Sequence, residues 1–170
     1  METIAIYREE VIKTYGFSER KGLCLVTLDL PALQMDQWGN RVMEHLARLE
    51  FPLTLLMAQS EEAGTLRLFI LMEGLPEQFR TLGLPAGIQG ERRLYPAVEM
   101  ISFQGPHFGD RYGITQAVLR VMADHQVPIL GLICSGASVY LLIDRGWAGP
   151  ARKALGEAFL TPPKTGASSD

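Results

Sequence analysis

Residues 105–114, which read GPHFGDRYGI, combine residue types that can bind a small anion at the start of a helix. Three glycines lie four residues apart, between an apolar run and a helical pattern. The first N–H groups of a helix lack partners within the helix, and the helix dipole favours a negative charge beside them. Asp110 is a suitable N-cap and could also accept a ligand ammonium group, and Gly113 would let a ligand approach the backbone. We weigh a ligand carboxylate at this turn against a capped turn whose glycines only reverse the chain.

Other chemical motifs are absent from the sequence. Neither G-x-G-x-x-G nor the Gly-Lys-Ser/Thr ending of a phosphate-binding loop occurs in residues 105–114. The histidines at 45, 107 and 125 are scattered, without a Ser-His-Asp, Cys-His or G-x-S-x-G pattern. Cys24 and Cys134 stand in apolar runs without metal-ligand spacing, which predicts buried free thiols. We therefore expect no enzymatic activity, no metal and no cofactor.

The composition is that of a soluble globular protein, with 47% hydrophobic and 21% charged residues among 170. The net charge of -3 and the lack of a Lys/Arg cluster argue against a nucleic-acid partner. No apolar run approaches the roughly 20 residues of a membrane helix, and the acidic N-terminus does not resemble a signal peptide. We expect no membrane partner and a cytoplasmic location.

The chain contains an internal repeat. FPLTLLMAQ at residues 51–59 matches VPILGLICS at residues 127–135, and DQWG at residues 36–39 matches DRYG at residues 110–113. A third pair of matching segments, TLDLP and ISFQGP, precedes DQWG and DRYG. A fourth pair, LFILMEGLP and VYLLIDRGW, follows FPLTLLMAQ and VPILGLICS. Because the matching signals occur in the same order, we infer two copies of one structural unit.

The second copy is predicted to contain a strand over residues 98–104, a helix from Ile114, strands over 128–135 and 139–143 joined by a short turn, and a helix opened by Pro150. The inward positions of the first helix are Ile114, Ala117, Val118, Val121 and Met122. Those of the second are Ala151, Ala154, Leu155, Ala158 and Phe159. Residues 161–170 are polar and proline-rich, which predicts a disordered tail.

The first copy has the same predicted order. We expect a strand over residues 23–30, a helix over 42–51 with Met43, Leu46 and Ala47 inward, and strands over 52–59 and 66–72. A short helix after Pro76, with Phe79 and Leu82 inward, and a strand over 88–95 complete it. Residues 10–17 would add an edge strand or form a hairpin with residues 23–30.

The order β-α-β-β-α-β predicts an α+β chain of two ferredoxin-like units with antiparallel sheets. The expected boundaries are an N-terminal extension over residues 1–22, units over 23–96 and 97–160, and the tail. The strands read as continuous apolar runs and do not alternate, which predicts that both sheet faces are covered. We expect the two units to pack side by side and the chain to form a homodimer.

These residues resemble the tandem ACT domains of aspartokinases over residues 23–160. In the second copy ISFQG, GDRYGI, HQVPI, ICSGAS and LLID stand where that family typically reads V-S-V-V-G, H-P-G-V, A-G-I-N-I, S-T-S-E-I and V-V-V-D. In the first copy DQWG and the strand end Gln59-Ser60 resemble the D-x-P-G helix start and the Gln-Asn strand end. The sequence departs at Trp38 and Tyr112, which replace the helix-start proline, and at Gly136-Ala137, which replaces Glu-Ile.

The resemblance implies a regulatory module without the kinase domain that binds a small effector, an amino acid, at ACT–ACT interfaces. It also implies a regulated enzyme or another regulator as partner. A protein-interaction or structural module with degenerate ligand sites is the alternative. For Trp38, packing is favoured over covering a ligand. The implied ligand-binding residues are Phe108, Gly109, Asp110, Arg111, Tyr112, Gly113 and Ile114 in the second loop, Asp36, Trp38, Gly39 and Gln59 in the first copy, and Pro52, Leu53, Pro128 and Ile129 as backbone contacts.

Overall fold

The computed structural model describes residues 11–48, 52–61, 64–74, 77, 89–109 and 111–161. The short helix expected after Pro76 and residues 162–170 of the expected tail lie outside this part of the chain. The chain forms two compact units. We call Gly22–Val98 the inserted unit, and Met1–Lys21 together with Glu99–Asp170 the outer unit.

The elements alternate between strands and helices in the α+β manner expected from the sequence. In chain order they are β1 (Ile12–Lys13), β2 (Gly16–Pro31), a 3-10 turn (Ala32–Gln34), α1 (Met35–Arg48), β3 (Leu53–Ser60), β4 (Thr65–Glu73), β5 (Glu91–Gln104), α2 (Ile114–Asp124), β6 (Ile129–Ser135), β7 (Ser138–Asp144), α3 (Ala148–Ala158) and β8 (Phe159–Leu160). Residues of β2 and β5 are divided between the two units.

Each unit has a ferredoxin-like order of strands. In the inserted unit the order is β3-β4-β2-β5, and β4 is antiparallel to both neighbours, with Ile70 opposite Val26 and Leu56. In the outer unit the order is β2-β5-β7-β6, and β6 and β7 form a tight hairpin in which Ser135 lies opposite Ser138. The strand that precedes the first helix of each unit, β2 in the inserted unit and β5 in the outer unit, is therefore central, as the fold requires.

The N-terminal residues complete the outer unit. The backbone N–H of Tyr15 donates to the carbonyl of Gln104 at 2.8 Å, and the buried hydroxyl of Thr14 donates to the same carbonyl at 2.7 Å. β1 pairs in parallel with β8, with Ile12 opposite Phe159. β1 is the additional strand expected in this segment. The alternative prediction, a hairpin with residues 23–30, is wrong, because β2 continues without a turn from Gly16 to Pro31.

The helices of the outer unit follow their apolar periodicity. Ile114, Val118, Val121 and Met122 of α2 are buried, and Ala117 packs against the same core. In α3 the expected residues Ala151, Ala154 and Leu155 are buried as well. Pro150 lies in the first turn of α3, where its missing N–H leaves no helical hydrogen bond unmade. The buried carboxylate of Glu99, on β5, accepts a 2.8 Å hydrogen bond from the N–H of Ala148 at the start of α3.

In the inserted unit the helix starts earlier than expected. α1 begins at Met35, and its buried face is formed by Trp38, Val42 and the partly buried Leu46. Met43 is 53% exposed and Ala47 is also exposed, so their inward assignment is wrong. The reason is helical phase: with Trp38 inside the helix, the spacing i, i+4, i+8 places Val42 and Leu46 beside it.

A second difference concerns the expected strands at 88–95 and 98–104, which form one strand, β5, from Glu91 to Gln104. β3 and β4 agree with expectation within about one residue. In β2 and β4, Val26 and Ile70 face the core of the inserted unit, while Leu25 and Leu71 on the opposite face are also buried. The single chain thus covers both faces here, and these apolar runs do not by themselves require a second copy.

Candidate functional site

A cleft of about 850 Å³ lies at the start of α2 in the outer unit. Small-molecule sites commonly have volumes of roughly 300–1,000 Å³. The cleft is open to solvent and combines charged, polar and apolar side chains. Its lining residues are Phe108, Arg111, Tyr112, Gly113, Ile114, Thr115, Gln116, Leu119, Arg120, Cys134, Gly136 and Val139.

The first turn of α2 presents backbone donors to this cleft. Gly113 is the N-cap residue, and its carbonyl accepts the first helical hydrogen bond from the N–H of Ala117 at 2.9 Å. The N–H groups of the three residues between them therefore lack partners within the helix. The N-cap is Gly113 and not the expected Asp110, which lies outside the described residues.

Gly113 has both the conformation and the open space that a close ligand approach needs. Its φ of 90° lies in the left-handed region, which disfavours residues with a side chain. An added Cβ would meet no atom within 4 Å, so there is open space immediately around that position. A side chain at this position would strain the backbone and occupy that space.

The loop before α2 rests on the aromatic core of the outer unit. Phe108 is buried and packs edge-on against Phe103, with ring centroids 5.9 Å apart. A Cβ at Gly105 would collide with the Phe108 ring and with the carbonyl of Lys13. Gly105 is thus required by close packing, in addition to any part in the turn, whereas Gly109 has open space around it.

The charged side chains among the described lining residues are Arg111 and Arg120. Arg111 is half-buried, and its Nη1 donates to the carbonyl of Val11 at 3.4 Å. Arg120 is exposed on α2, one helical turn after Gln116. Two cationic side chains thus line the described part of the cleft, beside backbone N–H groups that lack partners within α2.

The far wall of the cleft comes from the β6–β7 hairpin. Cys134 Sγ lies 3.3 Å from the hydroxyl of Thr115 on α2, and Gly136 and Val139 line the cleft beyond it. The expectation that both thiols are buried holds for Cys24 and is wrong for Cys134, which is exposed. Cys134 lies at the end of β6, at the edge of the sheet, where an apolar run does not guarantee burial.

The structure brings together only part of the set expected from the sequence. Phe108, Arg111, Tyr112, Gly113 and Ile114 line the cleft. Gly109 is exposed but not among the lining residues, and Pro128 and Ile129 lie at the opposite end of β6 from Cys134. The residues missed by sequence reasoning are Thr115, Gln116, Leu119, Arg120, Cys134, Gly136 and Val139. Gln116 and Arg120 could have been identified from the sequence, because their separation of four residues places them on the same face of the predicted helix.

The expected residues of the first copy are all in the inserted unit, and none of them lines this cleft. Trp38 is buried, and its Nε1–H donates to the carbonyl of Pro31 at 2.8 Å, as the packing interpretation requires. Asp36 and Gly39 lie within α1 and not in a loop before it. Gln59 is an exposed residue of β3, the edge strand, at whose start Pro52 and Leu53 are also exposed.

Within the described residues no three His, Cys, Asp or Glu side chains are grouped so as to hold a metal ion. Among the helices in the same part of the chain, none has the length and apolar character needed to cross a membrane.

Known proteins of similar structure support the fold of this chain. No protein-family model matches the sequence. No curated protein matches it either. Among solved structures, the regulatory subunit of aspartate kinase from Thermus flavus matches with a TM-score of 0.70 and 15% identity, over 86% of this chain and 98% of that chain.

Whole aspartate kinases match over part of their length. The enzyme from Synechocystis has a TM-score of 0.70 and 18% identity, over 95% of this chain and 30% of its own. E. coli aspartokinase III, solved in complex with lysine and aspartate, has a TM-score of 0.59 and 15% identity, over 91% of this chain and 35% of its own. The chain therefore has the fold of aspartate kinase regulatory subunits, which confirms the resemblance to tandem ACT domains.

Proposed function

We propose that the protein is a non-catalytic regulatory module that binds an amino acid in the cleft at the start of α2. The observation that carries the proposal is the cleft itself, in which free helix N–H groups, an open Gly113 and arginine side chains meet on the fold of a regulatory subunit. The ligand carboxylate would accept hydrogen bonds from the first turn of α2, where the helix dipole adds about 0.3–1 kcal/mol.

The composition of the cleft favours binding over catalysis. Its one strong nucleophile, Cys134, has Thr115 as its described hydrogen-bonding neighbour, and the described lining contains no His, Asp or Glu to act as a general base. The related fold in E. coli aspartokinase III was solved with lysine and aspartate, so an amino acid is a reasonable class of effector to test.

Binding would act by ordering the loop over residues 105–113 against α2 and the β6–β7 hairpin. A ligand present at 100 times its dissociation constant stabilises the bound form by about 2.7 kcal/mol. We propose that this ordering favours one arrangement of a homodimer, which a regulated enzyme or another regulator then recognises. The protein would act in the cytoplasm.

A thermal-shift screen of the twenty amino acids, followed by calorimetry on those that stabilise, tests the proposal. Gly113→Val should weaken binding by about tenfold or more, because the side chain strains the helix start and fills the open space around that position. Gly146→Val is the matched control, because Gly146 has a φ of 88° and open space in the same unit but does not line the cleft. A folded protein that no amino acid stabilises would contradict the proposal.

The second candidate is a protein-interaction module with degenerate ligand sites. It is favoured by exposed apolar side chains around the start of α1, where Leu33 is 96% and Met35 is 56% exposed, and by Tyr112, which is 88% exposed. Light scattering after size exclusion, with and without the stabilising amino acid, separates the two candidates. A ligand-independent dimer and no ligand hit would support the interaction module.

A further inference from the structure

The N-terminal residues of the outer unit lie between its last strand and the loop that precedes α2, which forms one wall of the cleft. We propose that residues 11–15, which we call the latch, fix the position of this loop, and that release of the latch widens the cleft. The latch and the cleft belong to the same compact unit. The proposal goes beyond the proposed function, because it concerns how the cleft is held and is tested without a ligand.

The latch holds the residue at which the loop leaves the sheet. Gln104 is the last residue of β5, and its carbonyl accepts hydrogen bonds from the Thr14 hydroxyl at 2.7 Å and from the Tyr15 N–H at 2.8 Å. The side-chain amide of Gln104 donates to the hydroxyl of Ser138, on the β6–β7 hairpin, at 2.9 Å. Gln104 is therefore joined both to the latch and to the hairpin that forms the far wall of the cleft.

The latch also contacts the loop further along the chain. The carbonyl of Lys13 lies so close to Gly105 that a Cβ at that position would collide with it. Nη1 of Arg111 donates to the carbonyl of Val11 at 3.4 Å. Phe108, which lines the cleft, lies in the chain between these two contacts. A movement of the latch would therefore remove contacts on both sides of Phe108.

The latch can be released without unfolding the core, because few of its apolar side chains are buried. Val11 is 48% exposed and Tyr15 is 70% exposed, and Ile12 is only partly buried. Segments with few buried apolar contacts open locally at a lower free energy than the core does. Gly16, directly after the latch, has a φ of 130°, which favours glycine, so this residue is suited to be the hinge between the latch and β2.

The latch has β8 as its other neighbour. Ile12 lies opposite Phe159 in the parallel pair of β1 and β8, and the N–H of Thr14 donates to the carbonyl of Leu160 at 2.9 Å. The Phe159 ring is buried, with its centroid 6.1 Å from that of Phe108. The latch thus connects the last strand of the outer unit with the cleft loop, and a change at β8 is expected to reach the loop through it.

Substitutions at Thr14 test the latch in the ligand-free protein. Thr14→Val keeps the shape of the side chain and removes the buried hydroxyl, whereas Thr14→Ser keeps the hydroxyl. Amide hydrogen exchange over residues 105–109 should be about fivefold faster in Thr14→Val, since the loss of one hydrogen bond changes a local opening equilibrium by about that factor. Thr14→Ser should exchange at the wild-type rate. Thr27→Val is the matched control, because Thr27 is also buried but belongs to the inserted unit.

Labelling of Cys134 with two thiol reagents measures the width of the cleft. Cys134 is exposed on the far wall, so a small methanethiosulfonate should react with it equally fast in the wild type and in Thr14→Val. A bulky maleimide needs more room, and release of the latch should raise its rate by about fivefold relative to the small reagent. Ile12→Ala weakens the latch at β8 without removing its hydrogen bonds to Gln104, and it should produce the same two effects.

Unchanged exchange over residues 105–109 and an unchanged ratio of the two labelling rates in folded Thr14→Val would overturn the proposal. An effect of Thr14→Val that Ile12→Ala does not reproduce would also overturn it, because the residues of a latch must act together. The proposed function is judged separately, by the binding of amino acids, which neither of these two measurements uses.

Discussion

The carboxylate of Glu99 is predicted to hold the start of α3, and replacing it should destabilise the outer unit. Glu99 is only 5% exposed, and its Oε2 accepts a 2.8 Å hydrogen bond from the N–H of Ala148, the first residue of the helix. The first turn of α3 contains no acidic residue of its own, and its N-cap, Trp147, makes no side-chain capping bond. The cap is therefore supplied from β5, far away in the sequence.

Three effects set the size of the change. A hydrogen bond to a charged acceptor contributes about 1.5–3 kcal/mol, and the charge beside a helix start adds about 0.3–1 kcal/mol or somewhat more when partly buried. The free-energy cost of desolvating a buried carboxylate offsets part of this stabilisation. We expect Glu99→Ala to lower the free energy of unfolding by about 2–3 kcal/mol, since it also leaves the Ala148 N–H unsatisfied. Glu99→Gln keeps an acceptor oxygen and should lower it by about 1 kcal/mol.

Urea denaturation measures this change as a shift in midpoint at constant slope. In a thermal scan, each kcal/mol corresponds to about 2–4 °C in Tm for a chain of this size. The matched control is Glu19→Gln, which removes a more exposed carboxylate paired with Arg152 at 3.1 Å and should change stability by less than about 1 kcal/mol. A Glu99→Gln protein more stable than the wild type would refute the reasoning, because desolvation would then exceed the capping interaction.

Three further predictions concern packing, pH and thiol exposure. Gly105→Ala should destabilise the protein by about 1–3 kcal/mol in urea denaturation, because the methyl group meets the Phe108 ring and the Lys13 carbonyl, while Gly109→Ala, in open space, should not. Asp29 accepts bonds from Arg67 at 2.6 and 2.9 Å, which lowers the pKa of Asp29. The ionised Asp29 therefore stabilises the folded protein at pH values above its unfolded pKa of about 3.9, and this stabilisation is lost as the pH falls through its folded pKa. The difference in unfolding free energy between the wild type and Asp29→Asn should close below about pH 4. A thiol reagent should label one cysteine in the native protein and two after denaturation, because burial raises the pKa of Cys24; two fast-reacting native thiols would contradict this burial.

Much of the fold could be predicted from the sequence because its signals are local. The apolar faces of α2 and α3 repeat with the helical period, and β3, β4, β6 and β7 read as apolar runs bounded by turns. The repeat and the ferredoxin-like order follow from the succession of these elements. The loop at residues 105–114 was identified as a candidate site from its glycines and its place before a helix, and five of the six proposed loop residues that the structure describes line the cleft.

What the sequence by itself determined is the type of most elements and the buried faces of α2 and α3, because these depend on spacing along a few helical turns. The tertiary structure alone decided which distant residues meet: Cys134 beside Thr115, the Glu99 carboxylate at the start of α3, and the Lys13 carbonyl against Gly105. These contacts depend on strand register and on the packing of helices against the sheet, which join residues far apart in the chain. The same reason explains why Cys134 lines a cleft although its neighbours in the sequence resemble those of the buried Cys24.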